Sequence, residues 1–246
     1  MKRLQSYGWI PDRPDHRDFL YSVIAPKVKL PPQVDLRSEC SPIENQGRLG
    51  SCTANALAGN LQFLEKFSGQ TYKDVSRLFI YYNERAIEGT VRFDSGAMIR
   101  DGIKVLAKFG VCPESIWPYD ISQFTRKPSA VCYKEGLKHR IISYHRLETL
   151  NDMLNCLAEG FPFVFGFTVY ESFESLKVAK TGIVPMPKRS EKTLGGHAVM
   201  AVGYDQKQKR IIVRNSWGVE WGQAGYFTMP FAYFEMLADD LWTIRQ

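Results

Sequence analysis

Apolar positions change their spacing once along this chain, near residue 139. Before that point the period is helical. Ala54, Leu57, Ala58, Leu61 and Leu64 recur on one face, which predicts a closely packed small-residue helix that opens at Cys52 and is stopped by Gly69. The spacing predicts a second helix over 76–86 and a third over 95–109, stopped by Gly110. After residue 139 the runs shorten and fill with Val, Ile, Phe and Tyr. Strands are expected at 140–146, 162–170, 198–204, 210–215 and 225–229, with a turn over 205–209. One helix interrupts them at 150–159, capped by Thr149 or Asn151. Helices first and strands later imply an α+β chain of two lobes.

Residues 1–33 follow neither period. Tyr7-Gly8-Trp9-Ile10-Pro11-Asp12-Arg13-Pro14 alternates turn formers with charges, and Pro26, Pro31 and Pro32 close the stretch. Proline fixes φ and removes a donor, so an extended arm is expected. Trp9, Phe19 and Tyr21 give it apolar anchors and favour a docked arm over a loose tail. The arm carries positive charge near Met1 but lacks the apolar run of a secretory signal, so a cytoplasmic protein, or export by a route this segment does not reveal, is expected.

Composition narrows the picture. The chain has 246 residues, 44% hydrophobic and 24% charged, which suits a globular chain with a sizeable core. The longest apolar run, 161–170, is broken by Pro162 and Gly166, so no membrane span is expected. The net charge of +6 is scattered over the chain without a nucleic-acid motif, so no nucleic-acid partner is expected. The five cysteines, Cys40, Cys52, Cys112, Cys132 and Cys156, form no C-x-x-C pair, and no histidine pair accompanies them. Neither a metal nor a cofactor is called for.

Three positions carry candidate chemistry. Cys52 lies at the first turn of its helix, where unpaired N–H groups and the dipole favour a thiolate. Single cysteines are more often structural, but Gly50 and Ser51 leave room for a substrate backbone and Gln46 can aim amide donors at an oxyanion. His197 follows Gly195-Gly196 at the start of a strand, where an exposed working imidazole is expected rather than a core histidine. Asn215, in Arg214-Asn215-Ser216-Trp217-Gly218, offers an amide oxygen to orient that ring, and Trp217 an indole to shield the bond; otherwise Asn215 is a turn residue after a strand.

Gln46-Gly47-Arg48-Leu49-Gly50-Ser51-Cys52, Gly196-His197-Ala198-Val199 and Asn215-Ser216-Trp217-Gly218, with Trp221-Gly222 and Gly225-Tyr226, together resemble the papain-like cysteine peptidases, the papain and cathepsin family. The blocks stand in the family's order, and His197 follows Cys52 at the family's separation of roughly 130–150 residues. The resemblance covers about residues 34–235, and Pro32-Gln33-Val34-Asp35-Leu36-Arg37 looks like the family's mature start. It implies a papain-like two-lobe fold over 34–246: a helical lobe of about 45–138 bearing Cys52, a β-barrel-like lobe of about 139–235 bearing His197 and Asn215, and a cleft between them. It implies a Cys52–His197–Asn215 triad with Gln46 in the oxyanion hole. Gly96 and Ala97 would pair with a substrate backbone, and Met98, Gly166 and Ala198 would line the specificity pocket.

The chain departs from the family in specific places. The family's Cys-Gly-Ser-Cys-Trp reads Leu49-Gly50-Ser51-Cys52-Thr53, and Arg92-Phe93-Asp94-Ser95 lacks the cysteine that would partner position 49. Loss of both halves of a bridge suits a reducing setting. Ala97 stands where a second glycine is usual, which narrows backbone access. The arm is too short for the family's helical propeptide. It resembles the N-terminal extension of bacterial members, with its Tyr-Gly-Trp-x-Pro-Asp pattern, and either moderates access to the cleft or straps the β lobe. A basic stretch, Lys177, Lys180, Lys188, Arg189 and Lys192, leads into His197 and is either a preference for acidic substrates or a solvated loop. The expected function is thiol endopeptidase acting on peptides or proteins. Acyl transfer by the same triad and a non-catalytic peptide-binding module are the alternatives.

Overall fold

The computed structural model describes residues 6–26, 28–69 and 73–246. Its axis is α1 (Cys52–Phe67), whose residues from Cys52 to Glu65 are all buried. Alanines at 54, 56 and 58 and Gly59 make a slim helix, so neighbours close around every face. α2 (Arg77–Glu88) and α3 (Ile99–Lys108) pack on one side. α2 is capped by the Ser76 hydroxyl, which accepts the Phe79 N–H, and ends at Gly89 in the left-handed region. A short α4 (Ala130–Gly136) completes the helical lobe.

The rest is built on one antiparallel sheet. β1 (Gln33–Asp35), β2 (Ser143–Leu147), β3 (Phe163–Tyr170), β4 (Thr193–Asp205), β5 (Arg210–Arg214), β6 (Tyr226–Pro230) and β7 (Ala238–Arg245) are its strands. Their order is β2-β7-β3-β4-β5-β6, with β1 added on β4. The sheet is open, so the β-barrel-like lobe that the resemblance implies is an unclosed one. β4 runs longer than expected and takes His197 into its interior rather than leaving it at the lip. β7 is a strand the spacing does not predict, and it lies inside the sheet between β2 and β3.

Alternate residues of β3 and β4 face opposite ways, which gives two cores. Val164, Ala198, Met200 and Val202 pack with α1–α3. Phe163, Phe165, Phe167, Val199 and Ala201 pack beneath α5 (Leu150–Ala158) and α7 (Phe231–Leu237). Thr149 caps α5 in a reciprocal box with Asp152, which settles the choice between Thr149 and Asn151. α6 (Leu176–Thr181) carries Lys177 and Lys180 of the basic stretch. No helix among the described residues is long and apolar enough to cross a membrane.

Candidate active site

α1 meets β4 where the two cores join, and this contact sets Cys52 beside the strand that carries His197. Cys52 is the first residue of α1, fully buried, and its sulfur accepts backbone N–H groups from Ala198, Gly8 and Thr53. Those bonds and the helix end favour a thiolate, but burial outweighs them and pushes the thiol up to about 12. In this covered state, burial thus works against the thiolate that the helix end favours. Thr53, which stands in place of the family's aromatic residue, donates its hydroxyl to the buried Glu84 carboxylate at 2.9 Å.

His197 is also fully buried, not exposed as expected. Its Nε2 lies 2.9 Å from Asn215 Oδ1, which also accepts the Ser216 N–H at 2.9 Å. The Trp217 ring stacks on the imidazole, with centroids 4.8 Å apart and planes 25° from parallel. Phe167 and Phe173 also lie against the imidazole. Burial pushes His197 down to about 4, and the Asn215 bond opposes that shift. Its Nδ1 has no partner among the described residues.

Gln46 is held at both ends of its amide. Its Oε1 accepts the Ser216 hydroxyl at 2.7 Å, and its Nε2 donates to the Leu49 carbonyl at 3.0 Å. Tyr119 braces this loop, donating to the Gln46 carbonyl at 3.0 Å and lying 2.5 Å from the Ser51 hydroxyl. Sequence alone assigns Ser216 and Tyr119 no role, although Ser216 lies inside the quoted Asn215-Ser216-Trp217-Gly218 motif.

The arm explains the burial of the site. Gln46 Nε2 donates to the Ser6 carbonyl at 3.1 Å. The Tyr7 ring lies edge-on to His197 and donates its hydroxyl to Glu174. The Gly8 carbonyl accepts the Ala97 N–H at 2.7 Å, and the Ala97 carbonyl accepts the Ile10 N–H at 3.0 Å. The Trp9 N–H donates to the Gly196 carbonyl at 3.0 Å. Only glycine fits where the arm passes the nucleophile loop: a Cβ on Gly8 would stand 1.7 Å from the Gly50 carbonyl oxygen. Gly96, at φ +75°, likewise leaves no room for a side chain against Gly8.

The structure thus brings Cys52, His197, Asn215, Gln46, Ala198 and Trp217 together, with Gly96, Ala97 and Gly166 against the arm. Met98 caps α3 and gives its N–H to Glu88 at 2.8 Å. Leu194, Gly195 and Gly196, at the end of the basic stretch, line a cavity of about 350 Å³ over the arm together with Ser6 to Trp9. Among the described residues no cluster of three His, Cys, Asp or Glu could hold a metal ion.

The model of the papain family cysteine proteases matches residues 30–233. The chain belongs to the papain family. The family comparison extends to a crystal structure of xylellain, a cysteine protease of Xylella fastidiosa, at 45% identity and a TM-score of 0.90, covering all of this chain and 98% of that one. A peptidase C1-like protein of Acanthamoeba polyphaga mimivirus is 43% identical over 98% of this chain and 87% of its own length. Papaya chymopapain is 25% identical over 87% of this chain, which spans 58% of chymopapain's length. This papain-family chain is accordingly a cysteine peptidase.

Proposed function

We propose that the chain is a cysteine endopeptidase held shut by residues 6–10 of its own arm. What supports this is an extended polypeptide lying against Ala97 and Gln46 and covering Cys52 and His197. The cleft accommodates an interior stretch of chain, with residues on both sides of it, which favours endopeptidase action over removal of end residues.

In the reaction, Cys52 Sγ attacks the scissile carbonyl once its proton has passed to His197. Gln46 Nε2 and the Cys52 N–H hold the oxyanion. His197 returns the proton to the leaving amine, leaving a thioester on Cys52. It then takes a proton from water, which attacks the thioester and frees the acid and the thiol. Asn215 fixes the ring and Trp217 keeps water from the His197–Asn215 bond. The closed arm opposes each step. It occupies the Gln46 donor and keeps both thiol and imidazole neutral by burial.

The test is covalent labelling by an epoxysuccinyl peptide, read by intact mass on the full chain, Trp9→Ala, Cys52→Ala and Asn215→Ala. The expected result is one adduct at Cys52, faster in Trp9→Ala, absent in Cys52→Ala and slowed about a hundredfold in Asn215→Ala. An adduct without peptide hydrolysis, but with acyl transfer to an added amine, moves the assignment to a transferase. Neither adduct nor cleavage in Trp9→Ala leaves a non-catalytic peptide-binding module.

A further inference from the structure

Two walls of the groove press on Gly8 of the arm. One is the Gly50 carbonyl, two residues before Cys52; the other is Gly96, beside Ala97. A Cβ on Gly8 would stand 1.7 Å from the Gly50 carbonyl oxygen, and one on Gly96 would stand 2.2 Å from the Gly8 carbonyl oxygen. The first wall leads into the nucleophile, and the second pairs with an extended backbone through Ala97. The gap between them therefore sets where a backbone carbonyl lies relative to Cys52. No disulfide fixes that gap, because all five cysteines are free.

A polar relay spans it instead. The Gly50 N–H donates to both Asp94 carboxylate oxygens, at 3.0 and 3.1 Å. The Tyr81 hydroxyl donates to the same carboxylate at 2.5 Å and accepts the Gly96 N–H at 3.1 Å. Tyr81 lies on α2 and is fully buried. Burial, and next the Asp94 carboxylate, raise its phenol far above the ordinary value, so the hydroxyl keeps its proton for Asp94. Arg85, one turn further along α2, is fully buried as well. Its guanidinium stacks on the Tyr81 ring at 4.1 Å and donates to the Val91 and Phe93 carbonyls at 2.9 and 3.0 Å, which holds the segment that presents Asp94. Asp94 itself lies at the surface, where solvent screens its charge, so the relay acts by geometry more than by field.

We propose that Tyr81 and Asp94 are positioning residues for the peptidase reaction, setting the spacing between the nucleophile loop at Gly50 and the substrate-pairing segment at Gly96 and Ala97. The proposal rests on the chemistry proposed for Cys52 and adds the clamp that aligns the scissile carbonyl. With the clamp loosened, a bound peptide keeps its pairing with Ala97. Its carbonyl drifts from the sulfur and from the Gln46 and Cys52 N–H donors. Errors of that kind cost rate rather than affinity.

The test uses the full chain with Trp9→Ala as the open reference. Tyr81→Phe keeps the buried ring and removes only the hydroxyl. It is expected to lower kcat on a short peptide about tenfold, with KM within about threefold. Asp94→Ala is expected to do the same, and the double variant to cost no more than Asp94→Ala alone, since the two bonds form one relay. Asp94→Asn keeps an acceptor without the charge and is expected to stay within about threefold of the reference. Iodoacetamide needs no alignment, so it is expected to label Cys52 at the reference rate and with the reference pH profile in every variant. An unchanged kcat in Tyr81→Phe, a loss confined to KM, additive costs, Asp94→Asn as slow as Asp94→Ala, or labelling that falls with kcat overturns the assignment. A reference that cleaves nothing sinks the peptidase reading by itself. Amide hydrogen exchange then decides the clamp: faster exchange at Gly50 and Gly96 in Tyr81→Phe retains it, and unchanged exchange sinks it.

Discussion

Residues 6–12 of the arm meet the body through backbone hydrogen bonds, the Tyr7 and Trp9 rings and the Asp12 carboxylate, whereas residues 18–24 meet it through a buried phenol and ion pairs. Tyr21 is fully buried and donates its hydroxyl to Glu159. Asp18 bridges Arg100 at 2.5 Å and Arg146 at 3.4 Å, and Leu20 pairs with Arg146 beside β2. Peeling off the first segment uncovers the groove over Cys52, His197 and Gln46; peeling off the second opens the core around Tyr21. Under the proposed gating, the described part of the arm combines a removable block with a fixed anchor. Removing all of it would confound the two roles, so point changes separate them better.

The largest expected effect breaks the anchor. Tyr21→Ala removes a wholly buried aromatic side chain and is expected to lower unfolding stability by about 3 kcal/mol, read as the denaturant midpoint at unchanged slope. A loss below about 1 kcal/mol would place residues 18–24 with the removable segment. Next is Trp9→Ala, which is expected to raise kcat/KM on a short peptide about tenfold, equivalent to about 1.4 kcal/mol, with a smaller loss of stability than Tyr21→Ala. An unchanged rate would mean that residues 6–10 do not gate the site.

The same comparison has a pH signature. Burial raises the Cys52 thiol to about 12, so at any lower pH the closed chain holds less thiolate than an exposed cysteine would. Alkylation of the full chain by iodoacetamide is expected to be slow at pH 7 and still climbing at pH 10. In Trp9→Ala, where water and His197 reach the sulfur, the rate at pH 7 is expected to rise about tenfold and to level off at lower pH. Identical profiles would show that the arm does not set the state of the thiol. The smallest effect is expected at Phe19, which is 63% exposed although it lies within the anchoring segment and touches Tyr144. Phe19→Ser is expected to change stability by less than about 0.5 kcal/mol by the same denaturant measurement.

Much of the frame is legible from spacing alone, because α1 and the strands β3 to β6 bury continuous faces that leave a period in the sequence. β7 is not legible. Its Asp239-Asp240 pair is poor strand material, and it joins α7 with no turn former between them. Cys52, His197, Asn215 and Gln46 stand out because each sits in a short block of glycines and aromatics. Their burial does not, since it depends on a Tyr7 contact 190 residues distant from His197 in sequence. The Trp9–Asp240 bond is hidden for the same reason: 231 positions separate partners that only the fold joins. Phe19 reads as an apolar anchor, yet neighbouring Tyr21 takes the buried place.

Under the proposed gating, the pairing of Leu20 with Arg146 also fixes how the block behaves as an inhibitor. With only nine positions between Ile10 and Leu20, the blocking strand stays within reach of the cleft after it lifts, at an effective concentration on the order of millimolar. Diluting the protein therefore leaves the fraction of closed chains unchanged. A peptide that competes from solution must match that tethered concentration, while a single cut between residues 10 and 20 would turn the inhibitor into an ordinary, dilutable ligand.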